Sequence, residues 1–509
     1  MNAVEKNKEK KEESYNHVLK YTGLLGGVQG FYILISIIRN KLTALLVGEV
    51  GMGLSDLYSR SIELLGNTTN FGMGFSAVRR LSELYETGSY REQASFVRTI
   101  RSWALLTAIL GMVVGVGLSP LLSRWVMGND EHTLAFALLA PAVAFATLTG
   151  GEMAILKGMR RLKQMAANSA MGALATLLLT APLYAWMGIR GVIPVILATS
   201  AVVFFLNLRA AITLFPYRIA PFHRVVLRNG SPLIRLGAAY IAAGILGSGA
   251  EMLIRAVMVS SEGGLAQSGL YAAGLTLTVS YARLVFVAMD ADYFPRLSAA
   301  VSDPQRMNTT INRQIDVLVL LMAPFLIGFA LFLPFIIELL YTERFLAAVP
   351  MVICALPYMF FKAIYSPIAY LPLAEGAGRT YLMMELLYDG MLAVCVTVGF
   401  HWGGLTGAGI GLSLANLMDF VGLTGVYRYR YGFHFAAATW QRALGQGVLL
   451  LMGLWLAWQP LLWLRWTGGG VVLAISIGCS WRLLQKETSL VHKIKSGMGR
   501  FKRKTRSEK

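Results

Sequence analysis

Four arginines, Arg39, Arg60, Arg255 and Arg283, lie inside apolar stretches of this sequence. A charge at the middle of a membrane costs roughly 2.5–3.5 kcal/mol even on a lenient insertion scale, so such residues normally face a protein interior or a wet cavity. A guanidinium group stays protonated, and its fork of N–H donors matches the oxygens of phosphate and carboxylate groups. These four residues are therefore the main candidates for binding an anion.

Polar neighbours extend each arginine into a stripe along its predicted helix. Arg60 is followed by Glu63, Asn67 and Asn70 at spacings that place all four side chains on one helical face. The other stripes are Gln29, Tyr32, Ser36 and Arg39; Ser248, Glu251 and Arg255; and Thr276, Ser280, Arg283 and Asp290. Four such stripes predict a cavity between the helices.

The same spacing also permits a purely structural role for these arginines. Glu63 is three residues after Arg60, and Glu251 is four residues before Arg255, so each arginine could be neutralised in a buried pair. We favour the lined cavity because the stripes occupy matching helices of a repeat, described below. Candidates for lining the cavity, or for coupling to an ion gradient, are Glu63, Asn67, Glu251, Asp290 and Lys362.

The composition indicates a membrane protein. Of 509 residues, 56% are hydrophobic and only 14% are charged, whereas soluble proteins have about 25% charged residues. Apolar runs long enough to cross a bilayer recur along the chain. We predict fourteen spans, at 17–38, 50–76, 103–126, 134–156, 169–187, 191–214, 233–257, 268–290, 317–341, 346–373, 381–400, 404–427, 444–464 and 466–484. No cofactor is predicted.

Basic residues indicate how the spans are oriented. Lys and Arg number 34 on one set of alternating loops, with both tails included, and 6 on the other set. This bias predicts that both termini are cytoplasmic. It also assigns the net charge of +19 to membrane topology, so we expect no nucleic-acid partner. The loops on the opposite side are too short to form a catalytic domain, and no enzymatic activity is expected.

An internal repeat is indicated by three landmarks. Ile-Arg, Leu-Tyr and Arg-Leu-Ser occur at Arg39, Tyr58 and Ser82, and again 216, 213 and 216 residues later. The predicted fold is all-α, with two pseudo-symmetric six-helix lobes around a central cavity and a C-terminal helix pair. The predicted segments are an N-terminal tail (1–16), the N-lobe (17–214), a linker (215–232), the C-lobe (233–427), the extra helix pair (444–484) and a basic tail (485–509).

The run IIRNKLTALLVGEVGMGLSDLYSRSIELLGNTTNFGMGFSAVRRL and the later YFPRLSAAVSD resemble bacterial O-antigen translocases, which are polysaccharide flippases of the multidrug/oligosaccharidyl-lipid/polysaccharide exporter superfamily. The resemblance covers roughly residues 17–430. It implies a V-shaped transporter of the bacterial inner membrane. Such a protein flips an undecaprenyl-diphosphate-linked oligosaccharide to the outer leaflet by alternating access. Members commonly have twelve helices, and the extra pair here resembles the lipid II flippases.

The alternative is a cation-coupled exporter of multidrug or other lipid-linked substrates in the same superfamily. Such an exporter predicts mainly acidic residues in the cavity, whereas the stripes contain four arginines and three acids. The sequence leaves open coupling to a proton or sodium gradient and partnership with a polysaccharide polymerase or chain-length machinery. We expect a monomer.

Overall fold

The computed structural model describes residues 3–70, 73–219, 242, 244–280, 286, 293–294 and 296–487, and its regular elements are all helical. The principal helices are α1 (Ala3–Thr69), α2 (Met73–Thr87), α3 (Tyr90–Gly117), α4 (Ser119–Leu122), α5 (Thr133–Leu138), α6 (Ala140–Gly158), α7 (Leu162–Met187), α8 (Val192–Ile212), α9 (244–259), α10 (Gly264–Leu275), α11 (Pro304–Leu340), α12 (Val349–Ala369), α13 (Leu371–Glu375), α14 (Gly378–Tyr431), α15 (Ala437–Trp458) and α16 (Leu462–Glu487). The predicted all-α class is confirmed.

Glycines divide the two longest helices into pairs of membrane-length segments. In α1 the break is at Gly48, whose φ of 63° lies in the left-handed region that favours glycine. In α14 it is at Gly403 and Gly404, and Gly404 has a φ of 57°. These breaks separate predicted spans 1 and 2, and predicted spans 11 and 12.

Each of the fourteen predicted spans overlaps a helical segment of the described residues. Eight described helices are long and apolar enough to cross a membrane by length and composition: Gly30–Thr69, Tyr90–Gly117, Thr133–Gly158, Leu162–Ile212, Pro304–Leu340, Glu343–Glu375, Gly378–Tyr431 and Leu462–Gln485. Three of them are 40, 51 and 54 residues long, about twice the 20 residues that one crossing needs. The chain is therefore a multi-pass membrane protein, and the count of fourteen crossings stays a prediction.

The chain divides into two compact units. The first unit comprises Met1–Ala273, Ile337–Ala347 and Glu385–Thr397, and the second comprises Gly274–Ile336, Ala348–Met384 and Val398–Lys509. The core of the first unit includes the landmark residues Leu57 and Tyr58, both almost fully buried. The predicted lobes stay predictions. Residues 220–232 of the predicted linker and 488–509 of the predicted tail lie outside the described residues.

Candidate functional site

Arg255 on α9 pairs with carboxylates on two helices of the first unit. Its side chain is 0% exposed. Its Nε donates to the carboxylate of Asp56, and its Nη1 donates to the carboxylate and, at 2.9 Å, to the backbone carbonyl of Glu251. The pair between Arg255 and Glu251, which the sequence analysis considered as the structural alternative to a lined cavity, is therefore present. It is joined by Asp56, a partner that the sequence analysis did not include.

Asp56 on α1 links Arg255 to a second arginine, Arg60, which lies on the same helix as Asp56. One carboxylate oxygen of Asp56 accepts from Arg255, and the other lies 3.6 Å from Nε of Arg60. Nη1 of Arg60 in turn donates to Glu63 at 2.9 Å. These five residues, Glu251, Arg255, Asp56, Arg60 and Glu63, form an alternating series that we call the ionic chain. It contains three carboxylates and two guanidinium groups.

Close packing of backbones positions the ionic chain. A β-carbon added to Gly53 on α1 would lie 2.1 Å from the carbonyl oxygen of Leu265, and one added to Gly269 on α10 would lie 1.9 Å from that of Glu49. Only glycine permits so close an approach of two helices. The contact brings α10 near the ionic chain, and the guanidinium of Arg255 lies 5.6 Å from the ring centroid of Tyr271. This distance suits a cation–π interaction.

Exposure increases along the ionic chain on both sides of Arg255. Arg255 is fully buried, Asp56 and Glu251 are partly exposed, and Glu63 is 50% exposed. Nη2 of Arg255 is buried and has no hydrogen-bond partner within the described part of the chain. An unpaired buried donor is costly. The arrangement therefore combines a fully buried arginine, Arg255, with a partly exposed arginine, Arg60.

Asn67 continues the same face of α1. Its Nδ2 donates to the carbonyl of Gly244 at 3.3 Å and to Oγ of Ser248 at 3.4 Å. Both partners lie on α9, so Asn67 joins the two helices that bear the ionic chain. The predicted stripes of α1 and α9 therefore face each other.

A further carboxylate, that of Asp389, lies near α9. A β-carbon added to Gly247, one turn before Glu251, would lie 3.0 Å from Oδ2 of Asp389. Asp389 belongs to the α14 segment assigned to the first unit and is half-buried. The sequence analysis had not placed it near the polar stripes. Its position adds a fourth acid close to the ionic chain.

The other predicted site residues have different surroundings. Arg39 lines a separate pocket of about 220 Å³ with Asn168 and Asn207, inside the first unit. Lys362 lies on α12 of the second unit, where its Nζ is 3.4 Å from the hydroxyl of Tyr358. Arg283 and Asp290 lie outside the described residues.

Another ion pair that the sequence analysis did not predict is almost fully buried. Arg101, which the topology count assigned to a loop, lies within α3, and its Nε and Nη2 bind both oxygens of Glu152 at 2.9 and 3.1 Å. Its Nη1 donates to the carbonyls of Phe215 and Pro216. A lone acid inside the apolar run 134–156 was the available signal.

Long apolar helices with an ionic chain inside them define the class as a multi-pass membrane protein. The family model described as "Polysaccharide biosynthesis protein" matches residues 89–350, which is more than half of the chain. The chain therefore belongs to the polysaccharide biosynthesis protein family. A search of curated proteins gave no match.

Solved structures share the fold at low sequence identity. The lipid II flippase MurJ in an inward closed conformation has a TM-score of 0.68 and 16% identity, covering 91% of this chain and 99% of its own. An inward-facing multidrug resistance MATE transporter of the MOP superfamily has a TM-score of 0.62 and 15% identity, covering 79% and 94%. A MOP superfamily transporter from Pyrococcus furiosus, whose binding pocket is described as having reverse polarity, has a TM-score of 0.56 and 14% identity, covering 81% and 96%. The fold is that of MOP superfamily transporters.

Proposed function

We propose that this protein is a flippase for an undecaprenyl-diphosphate-linked oligosaccharide, such as an O-antigen unit or a related surface polysaccharide unit. The observation that supports it best is the ionic chain, which presents Arg60 on membrane-spanning helices of a chain from a polysaccharide biosynthesis family. A diphosphate needs a cationic partner in the membrane interior, because the low dielectric makes an unpaired charge costly. Arginine offers that partner with a geometry suited to phosphate oxygens.

Exchange of partners at Arg60 is the proposed binding step. Glu63 is half-exposed, so it can turn towards solvent and leave the guanidinium to the substrate diphosphate. Arg255 has a positioning role, because it holds Asp56 and Asp56 in turn orients Arg60. Arg39 and Arg283 are further candidates for contact with the substrate during transport.

The carboxylates provide a way to couple transport to an ion gradient. Protonation of Asp56 would weaken its pair with Arg255 and loosen the contact between α1 and α9, whereas protonation of Glu251 would weaken a pair within α9. Lys362 is a second candidate for coupling, since it is half-buried and its Nζ donates to the hydroxyl of Tyr358 at 3.4 Å. We propose that movement proceeds from the cytoplasmic to the outer leaflet of a bacterial inner membrane by alternating access, without a chemical reaction.

A cation-coupled exporter of the same superfamily is the second candidate. The observation in its favour is the excess of acids, since the ionic chain has three carboxylates to two guanidinium groups and Asp389 lies nearby. Such a site suits a cationic substrate if the arginines serve only to neutralise some of the acids.

Reconstituted vesicles separate the two functions. Purified protein would be inserted into vesicles that contain a fluorescent polyprenyl-diphosphate oligosaccharide, and a membrane-impermeant quencher would report its movement between leaflets. We expect protein-dependent movement of this lipid and no movement of a neutral analogue that lacks the diphosphate. Transport of a cationic dye without movement of the lipid would overturn the flippase assignment and support the exporter.

A further inference from the structure

A small polar pocket in the first unit surrounds the side chain of Arg39. It is formed by α1, α6, α7 and α8, it has a volume of about 220 Å³, and none of the five residues of the ionic chain lines it. This volume is below the roughly 300–1,000 Å³ of pockets that hold drug-sized ligands. The pocket therefore has room for one small chemical group, such as a single sugar ring.

The guanidinium of Arg39 has no carboxylate partner among the described residues. Its one hydrogen bond within that part of the chain runs from Nη2 to Oδ1 of Asn40 at 3.4 Å. The other described residues that line the pocket include no acid. A positive charge in a membrane-spanning segment is costly unless it faces water or an anionic partner. The pocket is therefore positive and favours an anionic group.

A buried amide in the wall of the pocket lacks a donor. Asn168 lines the pocket and is 8% exposed. Its Nδ2 donates to Oδ1 of Asn207 at 3.2 Å and to the carbonyl of Leu206 at 3.3 Å. These bonds fix the orientation of the amide, and its Oδ1 accepts no hydrogen bond within the described part of the chain. Because buried amide groups are nearly always paired, this oxygen is available to a ligand that donates.

Hydroxyl groups complete the polar lining. Ser36 on α1, Ser169 on α7 and Tyr32 on α1 line the pocket, and their hydroxyls make no hydrogen bond to a described residue. A hydroxyl can both donate and accept. The pocket thus offers the N–H donors of one arginine, one amide acceptor and three hydroxyls.

This combination distinguishes between the anionic groups that a lipid-linked oligosaccharide can carry. A diphosphate diester has acceptors only, so it would pair with Arg39 but leave Oδ1 of Asn168 without a donor. A sugar carboxylate supplies the charge in a planar form that matches the guanidinium fork. Hydroxyls on the same sugar ring can donate to Asn168. An acidic sugar therefore satisfies both groups.

The position of Arg39 along α1 suits a sugar close to a diphosphate at Arg60. Arg39 is nine residues before the break at Gly48 and Arg60 is twelve residues after it. These separations correspond to about 14 and 18 Å along a helix. In the predicted topology the two spans cross the membrane in opposite directions, so the two arginines lie at similar depths.

We propose that this pocket binds a sugar residue that carries a carboxylate, with Arg39 on the carboxylate and Oδ1 of Asn168 accepting from a ring hydroxyl. This assignment rests on the flippase function proposed above, and it narrows the substrate to an acidic lipid-linked oligosaccharide. Arg60 would hold the diphosphate, and the pocket at Arg39 would select the sugar.

Binding of two synthetic polyprenyl-diphosphate disaccharides to the full chain in detergent tests the proposal. The lipids differ only in the second sugar, which is glucuronic acid in one and glucose in the other. We expect the wild type to bind the glucuronic acid lipid about tenfold more tightly, the lower end for a hydrogen bond to a charged group. Arg39→Gln should abolish this preference. Ser36→Ala should reduce it about twofold without a change in charge, the lower end for a neutral hydrogen bond.

Arg209→Gln is the matched control, because Arg209 is exposed on α8 and does not line the pocket. The preference for glucuronic acid should persist in this variant. Equal loss of the preference in Arg209→Gln and Arg39→Gln would show a general effect of charge and overturn the site. Equal affinity of the wild type for both lipids would also overturn it, while the diphosphate binding of the proposed function would stand.

Free methyl glucuronide separates a failure of the pocket from a failure of the flippase function. Binding of neither lipid would overturn the flippase function, and saturation-transfer NMR with methyl glucuronide, against methyl glucoside, would then decide the pocket. Signals of the glucuronide that are present with the wild type and lost in Arg39→Gln would support the acidic-sugar site. Their absence with the wild type would overturn it. If Arg39→Gln does not fold, Ser36→Ala gives the comparison, and an unchanged preference in that variant would overturn the site.

Discussion

Two buried arginines of the first unit differ in how completely they are paired. Arg101 and its partner Glu152 have side chains only 1% and 4% exposed. The pair is bidentate, two backbone carbonyls accept from Nη1, and the guanidinium lies 4.9 Å from the ring centroid of Tyr217. Arg255 is buried as deeply, but its Nη2 has no partner among the described residues and both of its carboxylates reach solvent.

Under the proposed function, this difference separates a structural ion pair from a site that exchanges ligands. Arg101 and Glu152 are both buried and each guanidinium nitrogen of Arg101 has an acceptor, so this pair joins α3, α6 and the segment 215–217. In the ionic chain, Nη2 of Arg255 has no partner among the described residues, and Glu63, at one end, is 50% exposed. Whether a buried arginine could bind a ligand is therefore judged better from the exposure of its partners than from its own burial.

The largest effect is expected from breaking the pair of Arg101 and Glu152. Glu152→Ala leaves Arg101 buried without its counter-ion, which costs about 3–5 kcal/mol in the free energy of unfolding. Thermal unfolding in detergent should show this loss. Glu83→Ala is the control, since Glu83 pairs with exposed arginines, and its melting temperature should match the wild type. A stable Glu152→Ala protein would show that the pair is not structural.

Breaking the ionic chain at Arg255 should destabilise the protein less. Arg255→Ala leaves two carboxylates that are partly exposed and screened by water, so we expect a loss of about 3 kcal/mol, the lower end for a broken buried pair. Adding Glu251→Ala and Asp56→Asn should restore the melting temperature but not lipid transport. Transport at wild-type levels in the triple variant would mean that Arg255 is only a counter-ion.

Loosening the packing behind the ionic chain should have a smaller effect. Gly269→Ala places a methyl group against the carbonyl of Glu49 and pushes α10, with Tyr271, away from Arg255. Overpacking of this kind costs about 1–3 kcal/mol. Gly66→Ala, with open space around the new β-carbon, should be neutral or slightly stabilising. Equal melting temperatures for the two variants would contradict the close contact between α1 and α10.

The sequence was sufficient to locate the helices and some of the residues of the ionic chain, but not Asp56. Apolar run length predicted the spans because each must cross the same hydrocarbon thickness. Spacing of four residues on one helix made the contact of Glu251 with Arg255 the structural alternative to a lined cavity, since such pairs are neighbours on any helix. Asp56 is four residues before Arg60 and lies on the same face, so extending that stripe by one turn would have found it.

The remaining contacts depend on packing between helices, which periodicity does not encode. Arg101 and Glu152 are 51 residues apart, and nothing in the spacing of either helix joins them. Arg39 likewise shares a stripe pattern with Arg60 but lines a pocket formed with α7 and α8. The polysaccharide substrate was inferred from a resemblance, and only the family to which the chain belongs supports it.

Binding of the lipid-linked oligosaccharide to Arg60→Ala tests the central claim most directly. Arg80→Ala is the matched control, because Arg80 donates to Glu83 three residues later at 2.9 Å, as Arg60 does to Glu63, but lies on α2, outside the ionic chain. We expect Arg60→Ala to weaken binding roughly 10- to 100-fold, the range for lost hydrogen bonds to a charged group, with Arg60→Lys in between and Arg80→Ala unchanged. Wild-type affinity in Arg60→Ala would contradict the assignment of the ionic chain as the diphosphate site.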